Sequence, residues 1–227
     1  MHTFVSAFFP LTTSKHSIET YRAQFTRLVA VERPVLLFLD QTLDWTFPPH
    51  IRVIRCSLQE TWAARTLPDT ALLPACRSPV DTLDYMRVIL AKTEFLVRAT
   101  ELAPDCDWFT WIDFGLPHVF RNPTETLTRL RDLPVPSTPC IRTAGIWTQT
   151  PTSLTDAVCW RFAGGFFIAH RSKAAEFDSA VRRAAEDLLP AAVWEVNVWA
   201  HAERKGLDLG WFPSDHNDSI IPFTLDP

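Results

Sequence analysis

Apolar and polar positions along this chain follow two spacings, the strand period of about two and the helix period of about 3.6. His2 to Phe9 is rich in β-branched and aromatic residues and stops at Pro10, which predicts a first strand. After a polar loop over 10–17, Ile18, Tyr21, Phe25, Leu28 and Val29 recur at helical spacing. Ser17 is placed to cap that helix and Glu19 falls in its first turn. Residues 34–40 form a continuous apolar run closed by Asp40, the pattern of a central strand covered on both faces. A shorter strand is predicted over 51–56. Beyond a proline-marked loop at 68–79, one long amphipathic helix is predicted from Asp81 to Leu102, with Leu83, Met86, Leu90, Thr93 and Val97 on one face.

The second half continues with a strand over 107–113, a short helix over 123–133, two weaker strands near 139–148 and a stronger one over 159–170. Helices follow over 172–189 and 194–206, the latter closed by Gly206, and an extended segment over 209–215. In the first half, strand, helix, strand, strand, helix and strand succeed one another. That order predicts an α/β fold with a mostly parallel central sheet and helices on both faces. Ligands of such sheets sit at the carboxyl ends of the strands. The loop 10–17, Asp40 and Asp113 all lie there.

A length of 227 residues fits one domain with a sizeable core, and 47% apolar content excludes disorder as the default. The net charge of -4 is spread out, without the basic run that a nucleic-acid partner requires. The five cysteines are widely spaced without a CxxC pair, which fits a reducing compartment rather than a disulfide framework or a structural zinc site. No apolar stretch reaches the ~20 residues of a membrane span, and the first strand lacks the basic flank of a signal peptide. A cytoplasmic location is the expectation.

Chemistry concentrates at Trp111-Ile112-Asp113-Phe114-Gly115. A carboxylate ending an apolar strand is held by a rigid element and suits a metal or phosphate site. Gly115 allows an unusual turn or a close approach. The plainer alternative is an aspartate that only caps a turn. The letters DFG occur in protein kinases too, but no Gly-rich loop, strand lysine or HRD loop accompanies them. Glu195 opens a helix, where it either complements the dipole or accepts a proton from a hydroxyl. Gly164 and Gly165 interrupt a strand, marking a bulge or a close backbone approach, and Arg161 just before them has the reach to meet a diphosphate. Nine tryptophans offer stacking faces, though most belong in a core.

The segments FVSAFFPLTTSKHSIETY, AKTEFLVRA, FTWIDFGL, RFAGGFFIAHRS, WEVNVWA and SDHNDS, in this order over nearly the whole chain, resemble the HtrL/YibB family of glycosyltransferases. The resemblance implies a GT-A-like, Rossmann-type fold, with a donor-binding half over about 1–120 and an acceptor-side half over about 121–227. It implies a nucleoside-diphosphate sugar as donor, a glycan or small-molecule acceptor and a manganese or magnesium ion. By the same resemblance Asp113 and His216 would hold the metal, with Asp218 as a second choice, against a plain polar turn at 215–218. Lys15 and Lys92 would meet phosphate, Gly115, Arg161, Gly164 and Gly165 would border the donor, and Glu195 would act on the acceptor. GT-A enzymes usually carry Asp-x-Asp, whereas this chain has Asp113-Phe114-Gly115, which puts the metal in doubt.

Three functions compete on these residues. Glycosyl transfer leads. A nucleotidyltransferase or other nucleotide-sugar enzyme would share the strand-end aspartate, but the loop after the first strand has no glycine to cradle phosphate. A non-catalytic glycan- or nucleotide-binding module would explain the missing second acid.

Overall fold

The computed structural model describes residues 2–225. Seven strands carry the fold: β1 (His2–Phe8), β2 (Val35–Asp40), β3 (Ile51–Cys56), β4 (Trp108–Ile112), β5 (Ile141–Gly145), β6 (Ala163–His170) and β7 (Gly210–Pro213). They form one sheet in the order β3-β2-β1-β4-β6-β5-β7. The β1–β2, β2–β3, β1–β4 and β5–β7 pairs are parallel, whereas β6 runs antiparallel to both β4 and β5. The expected α/β fold with a mostly parallel sheet is therefore the observed one.

Helices cover both faces, because alternate residues of each strand point opposite ways. On one face Phe4, Leu37, Leu39, Ile112 and Phe166 pack against Phe25 and Leu28 of α1 (Ile18–Val29) and Leu130 of α5 (Pro123–Arg131). On the other, Val5, Phe38, Trp111 and Phe167 meet α3 (Leu83–Leu90), α4 (Lys92–Leu102), α6 (Arg171–Leu188) and α7 (Glu195–Arg204) through Met86, Phe95, Phe177 and Trp199. Ser17 caps α1 as predicted, its Oγ accepting from the Thr20 amide at 3.2 Å. Gly206 follows α7 with φ 99°, a left-handed position that favours glycine.

Three expectations need correction. The long helix is two, α3 and α4, separated at Ala91, where ψ is -6°. The two weak strands near 139–148 are one, β5. It stops at Gly145 because the Ile146 and Trp147 amides both turn to the Trp160 carbonyl, at 3.2 and 2.8 Å. That turn also delays β6 until Ala163, with the Cys159 amide donating to Asn197 Oδ1 rather than to a neighbouring strand. A short helix, α2 (Trp62–Thr66), lies where the spacing predicts no element.

The five cysteines form no disulfide. Among the described residues no helix is long and apolar enough to cross a membrane.

Candidate active site

β4 lies at the middle of the sheet between β1 and β6, and every residue from Trp108 to Ile112 is buried. One position further, the Asp113 amide still donates to the Gly165 carbonyl at 2.9 Å, so the β6 neighbour fixes its backbone. The Leu116 amide then closes a turn on the Asp113 carbonyl at 2.9 Å. The Asp113 side chain thus leaves a rigid strand at its carboxyl end and remains 39% exposed.

Behind it lies a buried charge cluster. The Lys92 ammonium donates to Glu195 Oε1 at 2.7 Å and to the Gly164 carbonyl at 2.9 Å. It also pairs with both Asp113 oxygens, at 2.9 and 3.1 Å. Trp111 Nε1 donates to Asp113 Oδ1 at 2.7 Å. Residues two apart on a strand share a face, which is why this indole and this carboxylate meet. Lys92 opens α4 just after the break at Ala91, and Glu195 opens α7, so two helix starts and one strand end converge.

Burial opposes the charge on Lys92, but the Asp113 and Glu195 carboxylates outweigh it and hold the ammonium above its ordinary range. Burial pushes the Glu195 carboxyl up, Lys92 works against that shift, and the Asp113 charge adds to it. The Glu195 side chain is only 9% exposed and the Lys92 side chain 4%, so Asp113 is the member of the cluster that meets solvent. Burial also raises the Tyr85 hydroxyl, reinforced by Glu195 and Asp113, and raises Tyr21 with help from Asp113.

The glycines have steric reasons. A Cβ on Gly164 would overlap the Glu195 carboxylate. One on Gly165 would stand 3.0 Å from Leu116 Cδ1 and 3.6 Å from Asp113 Oδ2. The expected bulge is present too, as a register shift of β5 against β6 at Thr143/Ala144. Gly115 has ordinary backbone angles, φ -95° and ψ 6°. Its lack of a side chain admits α1, since a Cβ would lie 3.0 Å from Tyr21 and 3.1 Å from Gln24 Oε1.

A second group of side chains lies by the turn that follows Asp113, next to Tyr21 of α1. His118 Nδ1 donates to the Gly115 carbonyl at 2.7 Å, and the His16 ring lies 5.9 Å from the His118 ring and 5.6 Å from Tyr21. His216 sits edge-on to Trp160 at 5.1 Å. Burial lowers its imidazole below the ordinary range, His118 and Lys15 lower it further, and Asp215 opposes them.

Two candidates are bound into the frame instead. The Arg161 guanidinium donates to Glu203 at 3.1 and 2.8 Å and to the Trp147 carbonyl at 3.1 Å, and stacks on Trp211. All three of its nitrogens are thereby engaged, so the expected reach to a diphosphate is not what this geometry presents. Asp218 accepts from the Arg121 and Asn122 amides and from Thr126 Oγ1, at 3.1, 3.0 and 2.6 Å, closing the start of α5. Asp40 only caps its own turn, through the Thr42 amide at 2.9 Å.

A divalent ion fits this donor set poorly. Among the described residues no group of three or more His, Cys, Asp or Glu could hold one. The Asp113 oxygens already face an ammonium and an indole N–H. A metal held by the expected pair, Asp113 and His216, would have to displace the Lys92 ammonium from the carboxylate. Two cavities of about 340 and 170 Å³, between α6 and α7 and at the β5–β7 edge, are lined by none of the candidate residues.

Tyr21, Tyr85 and His118 were not singled out from the sequence. Tyr21 is visible only as a helical core position, nothing near Tyr85 signals chemistry, and His118 follows Asp113-Phe114-Gly115 without a pattern of its own.

No family model matches the chain, and no curated protein does. Among solved structures, a glycosyltransferase involved in the glycosylation of the major capsid of PBCV-1 is similar. It shares 13% identity at a TM-score of 0.47 over 94% of this chain and 81% of its own. The 4-diphosphocytidyl-2C-methyl-D-erythritol synthase from Anaerococcus prevotii shares 10% identity at a TM-score of 0.42, over 98% of this chain and 92% of its own. At that distance neither likeness decides the chemistry.

Proposed function

We propose that this chain is a glycosyltransferase that moves a sugar from a nucleoside diphosphate to an acceptor hydroxyl. The observation that carries the proposal is the half-exposed Asp113 carboxylate at the carboxyl end of the central strand, held from behind by Lys92 and Trp111. A carboxylate so fixed is preorganised, which is what a reacting sugar requires of its surroundings.

In the transfer, the acceptor oxygen bonds to the anomeric carbon and its proton leaves. The bond from that carbon to the phosphate oxygen breaks, and the nucleoside diphosphate departs. Asp113 is the carboxylate that touches substrate, receiving hydrogen bonds from a sugar or the acceptor proton. Glu195, shielded by Lys92 and Gly164, is a positioning residue that fixes the ammonium behind Asp113. Gly164 and Gly165 shape that wall. The donor side is assigned to about 1–120 and the acceptor side to about 121–227. Nucleotidyl transfer is disfavoured because residues 9–17, which follow β1, contain no glycine.

The test is a panel of nucleoside-diphosphate sugars, screened by thermal shift and by release of the free diphosphate. A binding donor raises the melting temperature. Stabilisation by at least one donor and its turnover are expected. A panel that neither stabilises the chain nor is consumed would overturn the reading.

A further inference from the structure

The seven histidines of the chain divide into two groups. Four are tied into the fold: His2 to Thr110, His50 to the Val29 carbonyl, His170 to Ser172 at the start of α6, and His201 to Asp187. The other three, His16, His118 and His216, are neighbours of one another, with His118 bonded to the turn after Asp113, although they come from the loop after β1, the turn after β4 and the tail after β7. His16 Nε2 is buried without a hydrogen-bond partner. The Gly115 carbonyl can only accept, so it places the hydrogen of His118 on Nδ1 and leaves Nε2 available. The His216 ring makes an edge contact with Trp160. Lys15 is exposed and enters no ion pair among the described residues, and Asp215 is the acidic neighbour of the group.

Burial, His118 and Lys15 all disfavour a positive charge on His216, a penalty that a bound anion would offset. The cluster behind Asp113 does not supply that anion, because its carboxylates already share Lys92. The donor set, as shown above, does not suit a divalent ion.

We propose that Lys15, His16, His118 and His216 form an anion cradle that holds the diphosphate of the donor beside Asp113, so that side-chain cations take the place of a divalent metal. The ligand class rests on the glycosyltransferase reading; the cradle itself rests on the side-chain arrangement. The Lys15 ammonium donates as it stands, whereas His118, whose Nδ1 hydrogen is taken by Gly115, donates through Nε2 once that atom is protonated, a charge-assisted bond that an anion strengthens. Such a site stabilises the departing diphosphate by preorganised positive charge. Three chain segments must come together to build it, which is why no local motif announces it.

The experiment is calorimetric titration of inorganic pyrophosphate into the full chain in EDTA. Binding that weakens with added salt is expected. The double variant Lys15→Gln/His118→Gln should lose affinity by roughly tenfold or more. Lys173→Gln, which breaks a surface pair with Glu176 on α6, should bind as the unaltered chain does. Should the double variant fail to fold, the exposed Lys15→Gln alone carries the test through a smaller loss. Binding that needs manganese, binding unchanged in the variants, or no binding would overturn the cradle. Failure of the two proposals can be told apart. Pyrophosphate binding without turnover of any nucleotide sugar would sink transfer and leave the cradle. Turnover in EDTA that ignores the variants would do the reverse.

Discussion

Lys92 carries its charge into the interior because two carboxylates and a carbonyl meet it. Removing one partner of such a cluster leaves the others uncompensated, at a cost of about 3–5 kcal/mol. Lys92→Met should therefore lose stability of that order in denaturant unfolding. Glu195→Gln added to it should recover part of the loss. An unaltered midpoint for Lys92→Met would mean the buried charges do not support one another. His2 gives a pH signature. Burial, aided by Arg33, lowers its imidazole to about 3, so it stays neutral in the fold while the unfolded chain protonates it near 6.5. A depressed value contributes stability above the unfolded range that is lost as pH falls through 6.5 toward about 3. The melting temperature should drop as pH falls from 6.5 to 4, and His2→Gln, which cannot titrate, should flatten that drop. An equal slope in both would remove His2 as the cause.

At the scale of elements, the glycines of β6 separate function from mere bulge. Gly164→Ala forces a methyl into the Glu195 carboxylate and should destabilise by about 1–3 kcal/mol. Gly165→Ala meets chiefly the movable end of Leu116 and should cost less. Equal effects in thermal unfolding would contradict the packing described. Much at this scale was legible. The apolar runs over 34–40 and 107–113 marked central strands because burial on both faces leaves no polar alternation. The hydroxyl of Ser17 marked the start of α1. The break at Ala91 was not legible, since neither proline nor glycine signals it. Nor was the end of β5, which depends on one carbonyl, that of Trp160, drawing two amides from the loop after it.

For the whole molecule, the topology explains why the site was only half visible. The parallel pairs β1–β2 and β1–β4 bring the loop after β1 and the Asp113 turn to one end of the sheet, which strand order alone allowed. Lys92 and Glu195, 103 positions apart, meet only because α4 and α7 pack on the same face, and no periodicity encodes that contact. Arg161 shows the converse: its sequence position beside the glycine pair pointed to the donor, but Glu203 from α7 holds it. The most direct measurement of the central claim compares release of free nucleoside diphosphate from a stabilising donor by the unaltered chain and by Asp113→Asn. Loss of roughly a hundredfold or more in turnover is predicted at a temperature where the variant is still folded, its melting temperature being lowered because Lys92 loses one of its two carboxylates. Turnover by Asp113→Asn equal to that of the unaltered chain would contradict the assignment of this carboxylate to the reaction.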